Sequence, residues 1–307
     1  MNEIVNYKNR EEWLAARQFG IGASEAASAI GLNPYQTPYQ LWLLKLGFDP
    51  PVQENKVMRA GHILEPAVAE FFAQETGAKI IKSSEADFMF IDKDKPYLRV
   101  SPDRLYTMPE EKDKRILECK TTRLAVDEEN IPVHWFVQIQ MNLGVAGLKH
   151  GAIAWLINGS DFNYKEISFD PDFFKMCVDA IDEFWNVNVL QQIEPSLINV
   201  SDVLAKFPQS NGKEMEASDV LLSAYQQLKT VKEEIANLKK AQTRLEDEIK
   251  FHMLDNETVT CDRKKIISWK TSGESHKFNE AKFSLEHPEL YQQYLEKKSG
   301  TRRFLVR

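Results

Sequence analysis

The chain is 307 residues long with a formal net charge of −7, and its 43% hydrophobic and 28% charged residues suit a soluble globular protein with one main domain and an appendage. No apolar run approaches the ~20 residues that cross a bilayer, and the first residues lack a basic stretch ahead of an apolar one, which argues against membrane and secreted classes. Cys119, Cys177 and Cys261 are far apart and the six histidines are dispersed, so disulfide frameworks and His/Cys zinc sites give way to a reduced cytosolic setting.

Residues 9–19 read as a helix with Trp13 and Leu14 on its apolar side. Gly20-Ile-Gly-Ala-Ser24 breaks it, and Ser24 is the expected N-cap of a helix over 25–30. Thr37-Pro38 starts the next, which runs to Leu46 and stops at Gly47. A longer helix spans 56–76. Strands are expected at 79–82, 87–91 and 97–100, followed by a hairpin around the charged turn 109–114. Helix returns over 133–146. A strand at 151–157 turns into a partner at 162–169, and Asp170-Pro171 caps a helix running to about residue 191. The order gives an α/β core over 1–195, with a mixed sheet flanked by helices.

Residues 196–217 are polar and without pattern, as in a linker or long loop. Across 218–256, Leu221, Leu228, Ile235 and Ile249 recur at sevenfold spacing with Gln242 as the exception, and Ala224, Val231, Leu238 and Leu245 form a second row. This is the pattern of a coiled-coil arm, or of a long amphipathic helix lying on its own domain. Residues 257–307 form a small α+β tail, with a strand at 265–271, a helix at 279–285 and a basic end carrying Lys297, Lys298, Arg302, Arg303 and Arg307.

The chemistry concentrates in the central hairpin, Arg-Val-Ser-Pro-Asp103 on one arm and Leu-Glu118-Cys-Lys120 on the other. Glu118 and Lys120 are two apart, so a strand projects both to one face about 6–7 Å apart, with Cys119 on the opposite face. Two carboxylates and an ammonium on one face suit a divalent metal and an attacking water, the equipment for phosphodiester hydrolysis. A surface hairpin with an ordinary Lys–carboxylate pair would look the same from these residues alone. The acidic net charge weighs against a general nucleic-acid coat, but not against an enzyme that confines its phosphate contacts to one channel.

Ser-Pro-Asp103 with Glu118-Cys-Lys120 resembles the PD-(D/E)XK nuclease motif. Three further segments extend the likeness: Arg17-Gln-Phe-Gly-Ile-Gly-Ala-Ser24, Gly61-His-Ile-Leu-Glu65-Pro66, and Val137-Gln138-Ile-Gln140. In this order they resemble the YqaJ-type viral recombinase family, the group of lambda exonuclease, over roughly residues 10–190. The resemblance implies a PD-(D/E)XK restriction-endonuclease-like core. It implies that Asp103, Glu118 and Glu65, with the main-chain carbonyl of Cys119, hold two Mg²⁺ ions, with Mn²⁺ as the alternative. It makes Lys120 the residue that orients and helps deprotonate water, Gln138 its hydrogen-bonding neighbour, and Arg17 with Ser24 the pocket for a 5′-phosphate. Gln140 is a rival to Gln138, since the two point to different faces of one helix. His62 is read as structural, and core packing is preferred for Trp42, Trp135 and Phe136.

The activity implied is a metal-dependent 5′→3′ exonuclease on double-stranded DNA ends. It would leave 3′ overhangs for phage-type single-strand annealing, act in the cytoplasm of a bacterial host, form a homo-oligomeric ring and work beside a single-strand annealing protein. Two alternatives are an endonuclease of the same motif class, which would lack the terminal-phosphate pocket, and a non-catalytic DNA-end or annealase-binding module. The second would not need Asp103, Glu118 and Lys120 together.

Overall fold

The structure, a computed structural model, describes residues 3–49, 55–83, 88–298 and 300–306. It divides into two compact units, Met1–Lys206 and Phe207–Arg307.

The first unit opens with strand β1 (Glu3–Asn6) and three short helices, α1 (Arg10–Arg17), α2 (Ala23–Ala29) and α3 (Pro38–Lys45). The sequence reads Ser24 as the cap of α2, but the cap is Gly22, whose N–H donates to the Glu25 carboxylate at 2.9 Å. Ser24 therefore lies inside the first turn with its hydroxyl free for other partners. Thr37 does cap α3, accepting from Gln40 N–H. Helix α4 (Lys56–Thr76) follows, then strands β2 (Lys79–Ser83), β3 (Phe88–Ile91), β4 (Arg99–Val100), β5 (Arg104–Thr107) and β6 (Arg115–Thr122). Residue 87, the expected start of the third strand, lies outside the described residues.

Helix α5 (Val133–Ala146), strands β7 (His150–Ile157) and β8 (Asp161–Ser168) and helix α6 (Pro171–Glu183) complete the core, and α6 continues into a π-helical turn over Phe184–Val189. Gly144 of α5 allows close packing on α6: a Cβ there would sit 2.3 Å from the Phe174 ring. A short helix, α7 (Val200–Lys206), then extends the unit beyond residue 195, within the stretch expected to be a patternless linker. Its anchor is polar, which is why apolar periodicity misses it. Asp202 is fully buried and accepts the Thr37 hydroxyl proton at 2.6 Å.

The main sheet has the order β2-β5-β6-β7-β8, with β6 and β7 parallel and the other pairs antiparallel. A second sheet, β1-β3-β4, is antiparallel. The expected first arm of the hairpin is thus two strands in two sheets. Pro102 has no N–H to give a ladder, and the chain changes sheets across Ser101-Pro102-Asp103, leaving Asp103 at the corner.

Strand β6 is the axis of the site because its side chains alternate. Ile116 belongs to the apolar core on the α5 face, while Leu117 and Cys119 belong to a second core with Val68, Ala69 and Phe72 of α4 on the other. Glu118 and Lys120 therefore face α5. The expected mixed α/β core with flanking helices is what the structure has, and Trp42 and Trp135 are buried in it.

The second unit carries helix α8 (Asp219–Met253), 35 residues long, as the heptad pattern indicates. Strands β9 (Thr258–Cys261) and β10 (Lys264–Ser268) form an antiparallel hairpin, and two short helices follow, α9 (Glu280–Glu286) and α10 (Pro288–Gln293). Arg307 lies outside the described residues. Among the described residues no helix is long and apolar enough to cross a membrane.

Candidate active site

A cavity of about 220 Å³ opens where α1, the start of α2, α4, the β4–β5 corner and α5 meet. Glu65, Asp103, Gln138, Arg17 and Ser24 all line it.

Glu118 has no exposed surface, and three side chains hold its carboxylate. Lys120 Nζ donates to Oε2 at 2.9 Å, Gln138 Nε2 to Oε2 at 2.5 Å, and Asn142 Nδ2 to Oε1 at 2.6 Å. Lys120 also donates to Gln138 Oε1 at 2.9 Å, closing a triangle. Burying a carboxylate without hydrogen-bond partners is costly, and these three donors supply them. Gln138 and Asn142 are one helical turn apart and share a face of α5. Gln140 faces away: it donates to Ser168 O and accepts from Asp170 N–H, joining α5 to the end of β8.

Asp103 meets the same strand end-on. Its Oδ2 accepts from Cys119 N–H at 2.7 Å, beyond the last β5–β6 pair. A strand residue's N–H and C=O leave on the same edge, so the Cys119 carbonyl opens toward Asp103. Burial, then the charge of Glu118, pushes the Asp103 carboxyl well above its ordinary range. Burial opposes charge on Lys120 too, but Glu118 and Asp103 outweigh it and raise that ammonium above its usual value. Lys120 is therefore a cation here, able to orient a water rather than to take its proton.

Glu65 projects from α4, where its Oε1 accepts from Arg104 Nη1 at 2.5 Å. The buried Arg104 also donates to Asp103 O at 2.7 Å. Among the described residues no group of three His, Cys, Asp or Glu side chains is gathered as a ready metal cage. The donor set fits a hard divalent cation: two carboxylates, the charge of Glu118 raising the pKa of Asp103, with a carbonyl edge beside them.

The opposite wall is cationic. Arg17 Nη2 donates to Ser24 Oγ at 3.1 Å, and both Arg17 and Arg10 stack over the Trp13 ring, at 4.9 and 4.0 Å from its centroid. The backbone beneath is held by Lys45, whose buried ammonium donates to both Glu25 oxygens and to Arg17 O. Burial pulls the Lys45 pKa down, against the pull of Glu25. Sequence reasoning missed Arg10, Trp13, Arg99 and Ser101 as cavity residues and assigned His62 a structural place, whereas His62 lines the cavity. It also missed Asn142. The spacing of Asn142 four residues after Gln138 is the one signal that points to it.

Residues 12–149 match the model of the YqaJ-like viral recombinase domain. The chain is 32% identical to protein YqaJ of Bacillus subtilis (strain 168) over 318 residues, covering 97% of this chain and 94% of that one. Among solved structures, the alkaline exonuclease LHK-Exo from Laribacter hongkongensis is 17% identical, with a TM-score of 0.45 over 57% of this chain and 91% of its own. A phage-related exonuclease from Haemophilus somnus 129PT is 12% identical, with a TM-score of 0.40 over 57% of this chain and 96% of its own.

Proposed function

The chain belongs to the YqaJ-like viral recombinase family, and from that premise and the geometry above we propose that it is a metal-dependent nuclease that digests linear duplex DNA from 5′-phosphorylated ends in the 5′→3′ direction. The 3′ single strands left behind would pass to a single-strand annealing protein in phage-type recombination within the bacterial cytoplasm. The observation that carries the reading is the convergence of the buried Glu118, the half-buried Asp103 and an ammonium on one end of β6, with a cationic wall across a cavity of about 220 Å³.

Asp103 and Glu118 would hold the divalent ion, Mg²⁺ or Mn²⁺, with the Cys119 carbonyl and with Glu65 once it leaves Arg104; the donor count leaves room for a second ion. When bound, the metal supplies Lewis-acid polarisation of the phosphodiester and a lowered pKa for its water. Lys120 would orient an attacking water from the Glu118 side, with Gln138 fixing Lys120. Arg17 and Ser24 present a guanidinium fork and a hydroxyl to a terminal phosphate, a match in charge and geometry. An endonuclease would have no use for that pair at the cavity mouth, and a non-catalytic module no use for the Glu118 clamp.

The test is digestion of linear duplex carrying either 5′-phosphate or 5′-hydroxyl ends, with Mg²⁺ and with EDTA. Cleavage with Mg²⁺ only, faster on the phosphorylated end, is expected. Arg17→Ala should erase the preference of the parent chain while leaving the hydroxyl substrate less affected. Cutting of closed circular duplex would support the endonuclease instead, and equal losses on both ends would remove Arg17 from end recognition.

A further inference from the structure

The two apolar rows of α8 lie in the open. Leu228 is 36% exposed and Leu238 is 70% exposed, with Val231, Ile235 and Leu245 between those values. At 1.5 Å per residue the helix is about 52 Å long, and an apolar seam of that length is not left in water without cost. A nucleic acid does not cover it, because the seam offers methyl groups rather than cations to phosphates. With Leu221, Leu228, Ile235, Gln242 and Ile249 as the a positions, three further observations identify the cover.

The first is Gln242, the one polar residue of the a row. In a parallel, in-register pair it meets its own copy, amide to amide. In an antiparallel pair of full overlap it meets Val231 and strands a polar group against a valine. A single polar a residue is a known means of fixing register.

The second is charge. In the parallel pair Glu234, at g, faces Lys239, at e of the other copy, and this contact occurs twice by symmetry. No like-charged g–e pair arises along the helix. The fully overlapped antiparallel pair sets Lys232 against Lys239 twice and forms no opposite-charge pair.

The third is a groove of about 570 Å³ within the second unit, between the end of α8 and the β9–β10 hairpin. Leu245, Ile249 and His252 of the two rows form one wall, and Val259 and Ile267 of the hairpin form the other. Met253, at an e position, is the one buried residue of the helix among those described. The hairpin thus anchors beside the seam and leaves a slot open along it, where a second helix would fit.

We propose that α8 pairs with α8 of a second copy of this chain as a parallel, in-register, two-stranded coiled coil whose end is seated in the groove beside the β9–β10 hairpin. The inference is independent of the nuclease reading, since it is measured as mass.

The experiment uses the full chain in sedimentation equilibrium, with circular dichroism to confirm folding. Ile235→Asp should part the paired arms, weakening self-association and abolishing the cross-link between copies at position 242. Glu234→Lys and Lys239→Glu should each weaken self-association, by about tenfold for two contacts turned from attraction to repulsion. Mixing the two single variants should restore it. In a Cys261→Ser background, Gln242→Cys should cross-link copies under mild oxidation. A cross-link at position 242 that fails to form, or that Ile235→Asp leaves undiminished, would overturn the proposal and assign the seam to another surface of the chain or to a different protein. Tighter self-association of Lys239→Glu alone, with no cross-link at position 242, would overturn it in favour of the antiparallel pair.

Discussion

Glu118 in the first unit has no exposed surface and holds three donors, while Leu238 in the second unit is 70% exposed on a helix with a single buried residue. Charge is buried where the chain places its chemistry, and apolar surface is exposed where it extends an arm. Each arrangement is costly alone and makes sense only with something added. A desolvated carboxylate pair is poorly stable until a cation joins it, and an apolar seam until a second helix covers it. The difference is in how each is specified. The site depends on a tertiary network in which residues from β6 and α5 converge, whereas the arm depends on a seven-residue period that needs no tertiary partner to be read.

The sharpest way to break the comparison is at Lys120. Lys120→Gln keeps a donor for Glu118 but removes the ammonium, so cleavage at saturating Mg²⁺ should fall by about 10²–10⁴-fold, the usual contribution of a group that positions or shuttles protons for an attacking water. Mg²⁺ affinity by calorimetry should hold or rise, because a competing cation is gone. A weaker metal affinity with a normal rate at saturation would make Lys120 a structural neighbour of Glu118 and nothing more. Glu118→Ala is a poorer probe than its motif position suggests. It leaves the buried Asn142 amide without its acceptor and takes from Lys120 and Gln138 the oxygen they share, and should unsettle the fold as well as the chemistry.

Truncation in the two regions tests the same contrast by stability. Ile153, fully buried beside Glu118 in the β6–β7 register, should cost about 2–5 kcal/mol as Ile153→Ala. Leu238→Ala should change the thermal unfolding of the first unit by no more than about 0.5 kcal/mol, as an exposed substitution does. Its effect should appear in self-association instead. Comparable losses of body stability from both would show that the arm helix is part of the folded core.

Much of this was legible because local rules suffice. Thr37-Pro38 marks a helix start, Gly147 a stop with a positive φ of 68°, and the β6 alternation follows from a period of two. Asp103, Glu118, Lys120 and Gln138 are named instead from the resemblance to the family's motifs, since a hairpin with an ordinary Lys–carboxylate pair has the same local pattern. What escaped is whatever depends on the third dimension. Arg104 reads as an ordinary strand cation, yet it is buried and holds Glu65 across 39 positions of chain. Asn142 reads as one polar residue in an apolar helix. The switch of sheets at Pro102 was written in the sequence but misread, because two short strands in different sheets have the same apolar signature as one longer strand. Helix α7 was missed for the opposite reason: its anchor is a buried Asp202 rather than an apolar face.

A smaller effect than the loss at Ile153 concerns the charge of Asp103 itself. Burial and Glu118 raise the Asp103 pKa above that of an unfolded chain. For a carboxyl the sign then runs opposite to that of an ordinary salt-bridged aspartate. Between the unfolded value, about 3.9, and the raised folded value, the native state binds more protons than the unfolded one. Metal-free stability therefore falls as pH rises through that window and stays reduced above it. Asp103→Asn removes the charge while its side-chain oxygen still accepts from Cys119 N–H. The metal-free variant should accordingly melt a few degrees above the parent chain near neutral pH, the scale of roughly 1 kcal/mol in a domain of this size. The gap should close below about pH 3, where Asp103 is protonated in both states. Added Mg²⁺ should reverse the order, raising the melting temperature of the parent chain but not of the variant, since a ligand stabilises only the form that binds it. Equal melting temperatures at every pH, with and without Mg²⁺, would mean that Asp103 bears no unmet charge and that its corner is a structural turn.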